Sequence, residues 1–494
     1  MDLLDHLPVL VVIMPLMSAP LCVLFDRARP AWLVSMSASW LSFAAAVYLL
    51  IQVSRDGTIS YRLGGWAPPW GIEYRIDLLG AYVLLIVTAI AALVMVFARR
   101  SLEKEIPADR IARVYAALLL VFAGLTGITA TGDAFNVFVF LEISSLASYA
   151  VISMGRDRRA LSAAFQYLVM GTIGATFILI GIGLLYMMTG TLNMLDLAAR
   201  LPEVADTRTV RAGFAFLTVG IGLKLALFPL HLWLPNAYAY APSAVTAFLS
   251  ATATKVAVYA LLRFMFGVFG AEFSLNKMPF DLILMVLGLA GILSASLVAV
   301  FQEDVKRMLA YSSVAQIGYM VLGISLASNT GVSAAILHVF NHALMKGALF
   351  LAVGALAYRI GAVTVSSIAG LGRRMPWTVA ALVVGGLSLI GVPPTAGFVS
   401  KWYLVLGTLE QDLWPVALLV LIGSLLALAY VWKLVEAAYF AEPAADAAAV
   451  REAPLSMLIP VWALVIANLY FGVNTQVSVG VARQATDLLM GGGG

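Results

Sequence analysis

Charge is what this chain lacks. Only 11% of its 494 residues are Asp, Glu, Lys or Arg, against about a quarter in an ordinary soluble domain, and 62% are apolar. That balance excludes a soluble globular enzyme and a disordered chain alike. Cysteine is nearly absent. Cys22 stands alone, so the chain has no disulfide framework, no thiolate metal site and no iron–sulfur ligation of its own. No cofactor is expected, and any redox chemistry must sit in another subunit. The net charge of +4, spread over membrane flanks, carries no signal for nucleic acid. A basic N-terminal segment is missing too. Asp2 and Asp5 stand where a signal peptide carries positive charge, so the first apolar stretch reads as a retained helix.

What the chain has in abundance is long apolar runs. A helix needs about 20 apolar residues to cross a bilayer, whereas barrel strands alternate apolar and polar in segments of about ten. Runs such as Ile86 to Phe97 are continuous, which predicts an all-α polytopic membrane protein with about fourteen transmembrane helices. The windows that matter most are the third (76–98), fifth (134–153), seventh (210–230), eighth (243–267), eleventh (332–357) and twelfth (377–408). The cluster Arg99, Arg100, Lys104, Arg110 and Arg113 marks a cytoplasmic loop. Alternation from there places 17 basic residues inside and 9 outside, which favours both termini outside. The one low-complexity segment is Gly491 to Gly494.

Four basic residues, Lys224, Lys255, Lys346 and Lys401, fall inside apolar windows, and Glu142 is the one carboxylate well inside a span. A charge at mid-bilayer costs about 2.5 to 3.5 kcal/mol even on the lenient insertion scale, so a chain keeps one when it is paired or used. One acid among several lysines suggests an ion pair that can be made and broken. Burial disfavours an ammonium and a nearby carboxylate restores it, so moving or protonating the acid releases a proton from the lysine. The plain alternative is that Glu142 and Lys224 neutralise one another to lock two helices. Lys255 lies near the middle of its window, too deep to snorkel.

His338, His342 and Lys346 are spaced i, i+4, i+8 and form one helical stripe about 12 Å long. Histidine gains and loses a proton near neutral pH, which suits a relay. Two other uses compete: a metal pair, for which no neighbouring ligand is in view, and ordinary hydrogen-bonded core histidines. Two helices also look broken, at Pro229 and Pro235 after Lys224 and at Pro393 and Pro394 before Lys401. Interior prolines at membrane depth survive where protein or water satisfies the freed carbonyls. Paired broken helices, each with an ionisable residue, point to an inverted-repeat transporter, with packing kinks as the alternative. Hydroxyls and amides such as Ser144, Ser145, Ser312, Gln316 and Asn341 accompany these charges.

At these residues the sequence resembles the antiporter-like subunits shared by respiratory complex I, membrane-bound hydrogenases and Mrp-type multi-subunit cation/proton antiporters. Four stretches carry the likeness: Phe140-Leu-Glu142; Lys224 with Phe228-Pro-Leu-His231-Leu-Trp-Leu-Pro235 and Ala241-Pro-Ser; Gln302 through Gly318; and His342-Ala-Leu-Met-Lys346-Gly-Ala-Leu-Phe350. The resemblance implies two inverted five-helix repeats, each with a broken helix. It divides the chain into an N-terminal three-helix segment (1–110), a first repeat (111–270), a second repeat (271–440), and a C-terminal helix and tail (441–494). It also implies roles. Glu142 and Lys224 look like the coupling ion pair, Lys255 the central relay lysine, His338 and His342 the bridge to the second half, and Lys401 the terminal lysine.

Within the family the chain looks most like the D-type component of the Mrp antiporter. Lys401 stands where one complex I subunit has glutamate, and Asn236 and Tyr238 stand where most complex I relatives have Asp and His. Those two departures put any relay role at 236 and 238 in doubt. The implied function is proton translocation within a hetero-oligomeric complex of a bacterial plasma membrane, exchanging protons for sodium or another monovalent cation. The first rival is the same relay driven by a quinone- or hydrogen-reducing arm. The second is a stand-alone solute carrier, against which the buried polar groups form a chain across helices and do not converge on one pocket.

Overall fold

Several helices begin where a short polar side chain precedes an apolar run. Asp77 accepts from the Gly80 N–H at 2.9 Å, Asp133 from Asn136 at 2.7 Å, Asp304 from Arg307 at 2.8 Å and Ser328 from Gly331 at 3.1 Å. Each bond satisfies a donor that the first turn of a helix leaves without a backbone partner. The architecture comes from a computed structural model that describes residues 3–442 and 450–491.

The helices are α1 (Leu7–Phe25), α2 (Ala28–Asp56), α3 (Leu78–Glu105), α4 (Ile111–Ala130), α5 (Ala134–Ser153), α6 (Arg159–Thr189), α7 (Met194–Val204), α8 (Arg208–Leu225), α9 (Trp233–Tyr240) and α10 (Ser243–Leu262). They continue with α11 (Phe280–Val300), α12 (Val305–Ser325), α13 (Asn329–Ile360), α14 (Pro376–Ile390), α15 (Ala396–Leu409), α16 (Trp414–Tyr439), α17 (Leu455–Val473) and α18 (Gln476–Leu489). Among the described residues twelve helices are long and apolar enough to cross a membrane. The chain is a polytopic all-α membrane protein. The windows 210–230 and 377–408 are not among the twelve, because each is interrupted. Residues 226–232 separate α8 from α9, and 391–395 separate α14 from α15.

Three elements differ from the sequence reading. Residues 59–76, read as a connection, hold an antiparallel hairpin, β1 (Ile59–Arg62) on β2 (Glu73–Ile76). The amphipathic α7 lies in the loop after α6, burying Leu197 and Leu201. The segment read as a tail carries α18, tied to α13 where Ser333 donates to Thr486 at 2.9 Å. Of the glycine run, residues 492–494 lie outside the described residues.

The axis of the molecule is α13. Every residue from Gly331 to Leu356 is buried, and the helix packs against α3, α10, α12, α14, α15, α17 and α18. Elsewhere helices approach through small residues, the contact by which helices pack in lipid. A Cβ on Gly318 of α12 would lie 2.6 Å from the Gly288 carbonyl oxygen of α11.

Charged loops gather at two ends. At one end Glu105 accepts from the Ser243 N–H at 2.8 Å, and Lys306 donates to the Ala241 carbonyl at 3.2 Å. At the other, Arg263 at the end of α10 makes a two-pronged bond to Asp77 at the start of α3. Burial pushes the Asp77 carboxyl up, but the charge and hydrogen bonds of Arg263, with the Gly80 N–H, hold it below the usual carboxylate range overall. A depressed carboxyl stabilises the fold above its unfolded value, and the stability is lost as pH falls through the depressed one. Asp77→Asn keeps the helix cap and removes only the charge. It is expected to cost about 2 kcal/mol near neutral pH, a buried-pair loss discounted for partial exposure. Thermal melts in detergent should show the wild type converging on the variant in acid.

Candidate functional site: a line of buried lysines and histidines

The line starts at the first break. Helix α8 stops at Leu225 because Ala226 takes a left-handed conformation, φ 60°. The Trp233 indole then donates at 3.0 Å to the Leu223 carbonyl, which also accepts the Ala226 N–H at 3.2 Å. One residue before the stop, Lys224 reaches across to α5. Its Nζ lies 3.2 Å from Glu142 Oε1 and donates to Ser145 Oγ at 2.8 Å. The lysine side chain is 4% exposed and the glutamate 25%, so the acid sits at the edge of the protein and the base inside it. Beside them is a cavity of about 30 Å³ lined by Ser144, Ser145, Ser148 and Lys224, with α10 as its far wall. That is room for one or two waters, and the hydroxyls supply the partners a buried water needs.

The middle of the line lies where α10 meets α13. Lys255 is fully buried; its Nζ donates to the Ser250 carbonyl and, at 3.4 Å, to Thr254 Oγ1. Among the described residues no carboxylate lies within 4.0 Å of it. On α13 the His338 and His342 rings stack nearly parallel, 5.9 Å between centroids and 3° between planes. Both ring nitrogens of His342 are buried without a hydrogen-bond partner among the described residues. Lys255 and Lys346 both lie close enough for their charges to act on that ring.

His338 turns toward the far end, with Nδ1 2.8 Å from Ser400 Oγ and Nε2 2.9 Å from Gln316 Oε1. Lys401 follows Ser400 on α15. Its Nζ donates to the Leu389 and Ile390 carbonyls and to Ser424 Oγ, each at 3.0 Å. Those two carbonyls belong to the last turn of α14, which the break leaves without intrahelical partners. A helix C-terminus carries partial negative charge, so this end of α14 favours a cation. Gly397 permits the approach of the two half-helices, since a Cβ there would fall 1.9 Å from the Ser388 carbonyl oxygen.

The structure thus brings Glu142 and Lys224 into direct contact, stacks His338 on His342, and links His338 to the residue beside Lys401. It does not join Lys224 to Lys255 or His338 to Lys401 by hydrogen bonds. Pro229 lies in the first interruption, and Pro393 and Pro394 in the second. Asn236 donates to Gln166 at the exposed surface at 2.9 Å, away from the line, and the Tyr238 hydroxyl donates to the Leu249 carbonyl at 3.3 Å, beside the Thr254 hydroxyl that Lys255 also meets. Lys346, on the same helical stripe but outside the six candidates, is fully buried and donates to the Leu309 carbonyl at 2.7 Å and to Ser312. Its place in an apolar window was the available signal.

Residues 131–427 match the family described as NADH:quinone oxidoreductase/Mrp antiporter, TM. A relative named NADH-quinone oxidoreductase subunit N, from Desulforudis audaxviator, is 43% identical over 97% of this chain and 98% of its own. The D-type component of a Na+/H+ antiporter from Alkalihalophilus pseudofirmus is 29% identical over 98% of each chain. Among solved structures, a chain of the Mrp complex from a Dietzia species superposes with a TM-score of 0.90 at 27% identity, covering 100% of this chain and 98% of that one. The chain belongs to the NADH:quinone oxidoreductase/Mrp antiporter family, the antiporter-like proton-translocating subunits of multi-subunit membrane complexes.

Proposed function

We propose that protons move along Glu142, Lys224, Lys255, His342, His338 and Lys401 within an Mrp-type complex of a bacterial plasma membrane. The complex exchanges them for sodium or another monovalent cation. The observation that carries this reading is the Glu142–Lys224 pair at 3.2 Å beside a broken helix, at one end of a line of buried titratable groups. Proton-motive force loads the pair, and a change at Glu142 frees the Lys224 proton for the groups further in. No covalent bond is made.

A second reading keeps the line and changes the driver to a redox arm of a quinone- or hydrogen-converting complex. It is favoured by the 43% identity to the NADH-quinone oxidoreductase relative, against 29% to the Na+/H+ antiporter relative. The test is sodium-dependent ΔpH in inverted vesicles from cells expressing the whole operon, with no electron donor supplied. A sodium-triggered pH change that disappears in Glu142→Gln supports antiport. A response that needs NADH, formate or another donor supports the redox-driven reading.

A further inference from the structure

The Lys401 ammonium has three protons and three acceptors, Leu389 O, Ile390 O and Ser424 Oγ. Its remaining approach is covered by the ring of Tyr319 on α12, whose centroid lies 4.5 Å from Nζ. The same ring meets the His338 imidazole edge-to-face, with centroids 5.9 Å apart. Tyr319 is 2% exposed, and its hydroxyl donates to the Val420 carbonyl at 3.4 Å. Gly423 leaves room for it, because a Cβ there would stand 2.5 Å from the Tyr319 oxygen. One buried aromatic ring therefore touches both His338 and Lys401, which no hydrogen bond joins.

We propose that Tyr319 is a positioning residue whose π face holds the Lys401 ammonium against the α14 carbonyls and off His338, so that a proton passing between the two goes by way of the Ser400 hydroxyl. The inference rests on the relay reading given above. An aromatic face attracts a cation through its quadrupole, more strongly where water is excluded, and the ring hydroxyl is not needed for it. Other groups around Lys401 do not replace that face. From α13 come His338 and, beyond it, His342; from α16 comes the Ser424 hydroxyl. Among the described residues no carboxylate lies within 4.0 Å of Nζ. To receive a proton from His338, the neutral Lys401 amine must leave one acceptor and turn to Ser400, whose Oγ lies 2.8 Å from His338 Nδ1. Ser400 takes the imidazolium proton on oxygen and gives its own to the amine, so the histidine ends neutral, the lysine charged and the serine unchanged.

The test is the pH profile of proton transport in inverted vesicles holding the whole complex under whichever driver powers it. Tyr319→Phe keeps the face and should keep the wild-type profile. Tyr319→Leu removes it and should move the alkaline limb to lower pH by about one unit. Tyr319→Trp offers a stronger face and should move the limb to higher pH, which keeps the test open if the leucine variant does not assemble. The proposal is overturned by a Tyr319→Phe profile shifted like Tyr319→Leu, by a leucine profile that superposes on the wild type, or by a tryptophan profile that does not move. Wild-type transport by Lys401→Ala would overturn the relay reading instead, so the two failures stay distinct.

Discussion

Glu142→Gln is expected to reduce proton transport to background while the complex still assembles. Glutamine keeps the shape and a carbonyl acceptor but cannot carry the charge that Lys224 faces at 3.2 Å. The loss should therefore exceed the contribution of a single proton-transfer group, about 10²-fold or more. Stability should fall as well, because Lys224 is 4% exposed and would be left as a buried cation with only neutral side chains, the new amide and Ser145, to face it. Breaking a buried pair costs about 3 to 5 kcal/mol, and the quarter exposure of Glu142 brings the expected value to about 2 kcal/mol. The double variant Glu142→Gln/Lys224→Gln separates the two effects. It should melt close to the wild type, since no orphaned charge remains, and still transport nothing. Recovery of transport in the double variant would mean that the pair only locks α5 to α8. The measurements are detergent melts and vesicle ΔpH on the same preparations.

The same contrast explains how much of the molecule was legible in the sequence. Glu142, Lys224, Lys255 and Lys401 stand out because each interrupts an apolar run at a cost no chain bears idly. Prolines 229, 393 and 394 stand out because they remove backbone donors where water is scarce. Helix-length apolar windows are equally visible, so most of the bundle can be drawn from hydropathy. What stays hidden is whatever depends on backbone atoms or on distant partners. The acceptors of Lys401 are carbonyls at the end of α14, which no side chain advertises, and Tyr319 arrives from another helix as one more aromatic in an apolar segment. The hairpin at 59–76 has strands of only four residues, and α7 and α18 are too polar for an apolar-window reading. They are held by side contacts such as Ser333 to Thr486, which composition does not record.

Lys255→Met is expected to reverse the stability sign of Glu142→Gln and keep its functional one. Lys255 is fully buried, with a backbone carbonyl and a threonine hydroxyl as its bonded partners and no carboxylate within 4.0 Å among the described residues. A methionine of similar length fills the same space, leaves no partner charge behind, and returns the Ser250 carbonyl and Thr254 hydroxyl to ordinary helical surroundings. Replacing a buried ionisable group by an apolar one of like volume is neutral or stabilising by about 1 to 4 kcal/mol. The variant should therefore melt at or above the wild-type temperature. Transport should nonetheless fall by about 10²-fold or more, because the gap between Lys224 and His342 loses the one titratable side chain that the line places there. A function residue kept against stability behaves in this way, whereas a structural one loses both together. The paired outcome is the point of the experiment. Raised stability with lost transport assigns Lys255 to the proton path, while lowered stability with intact transport would make it a packing residue and break the line at its centre.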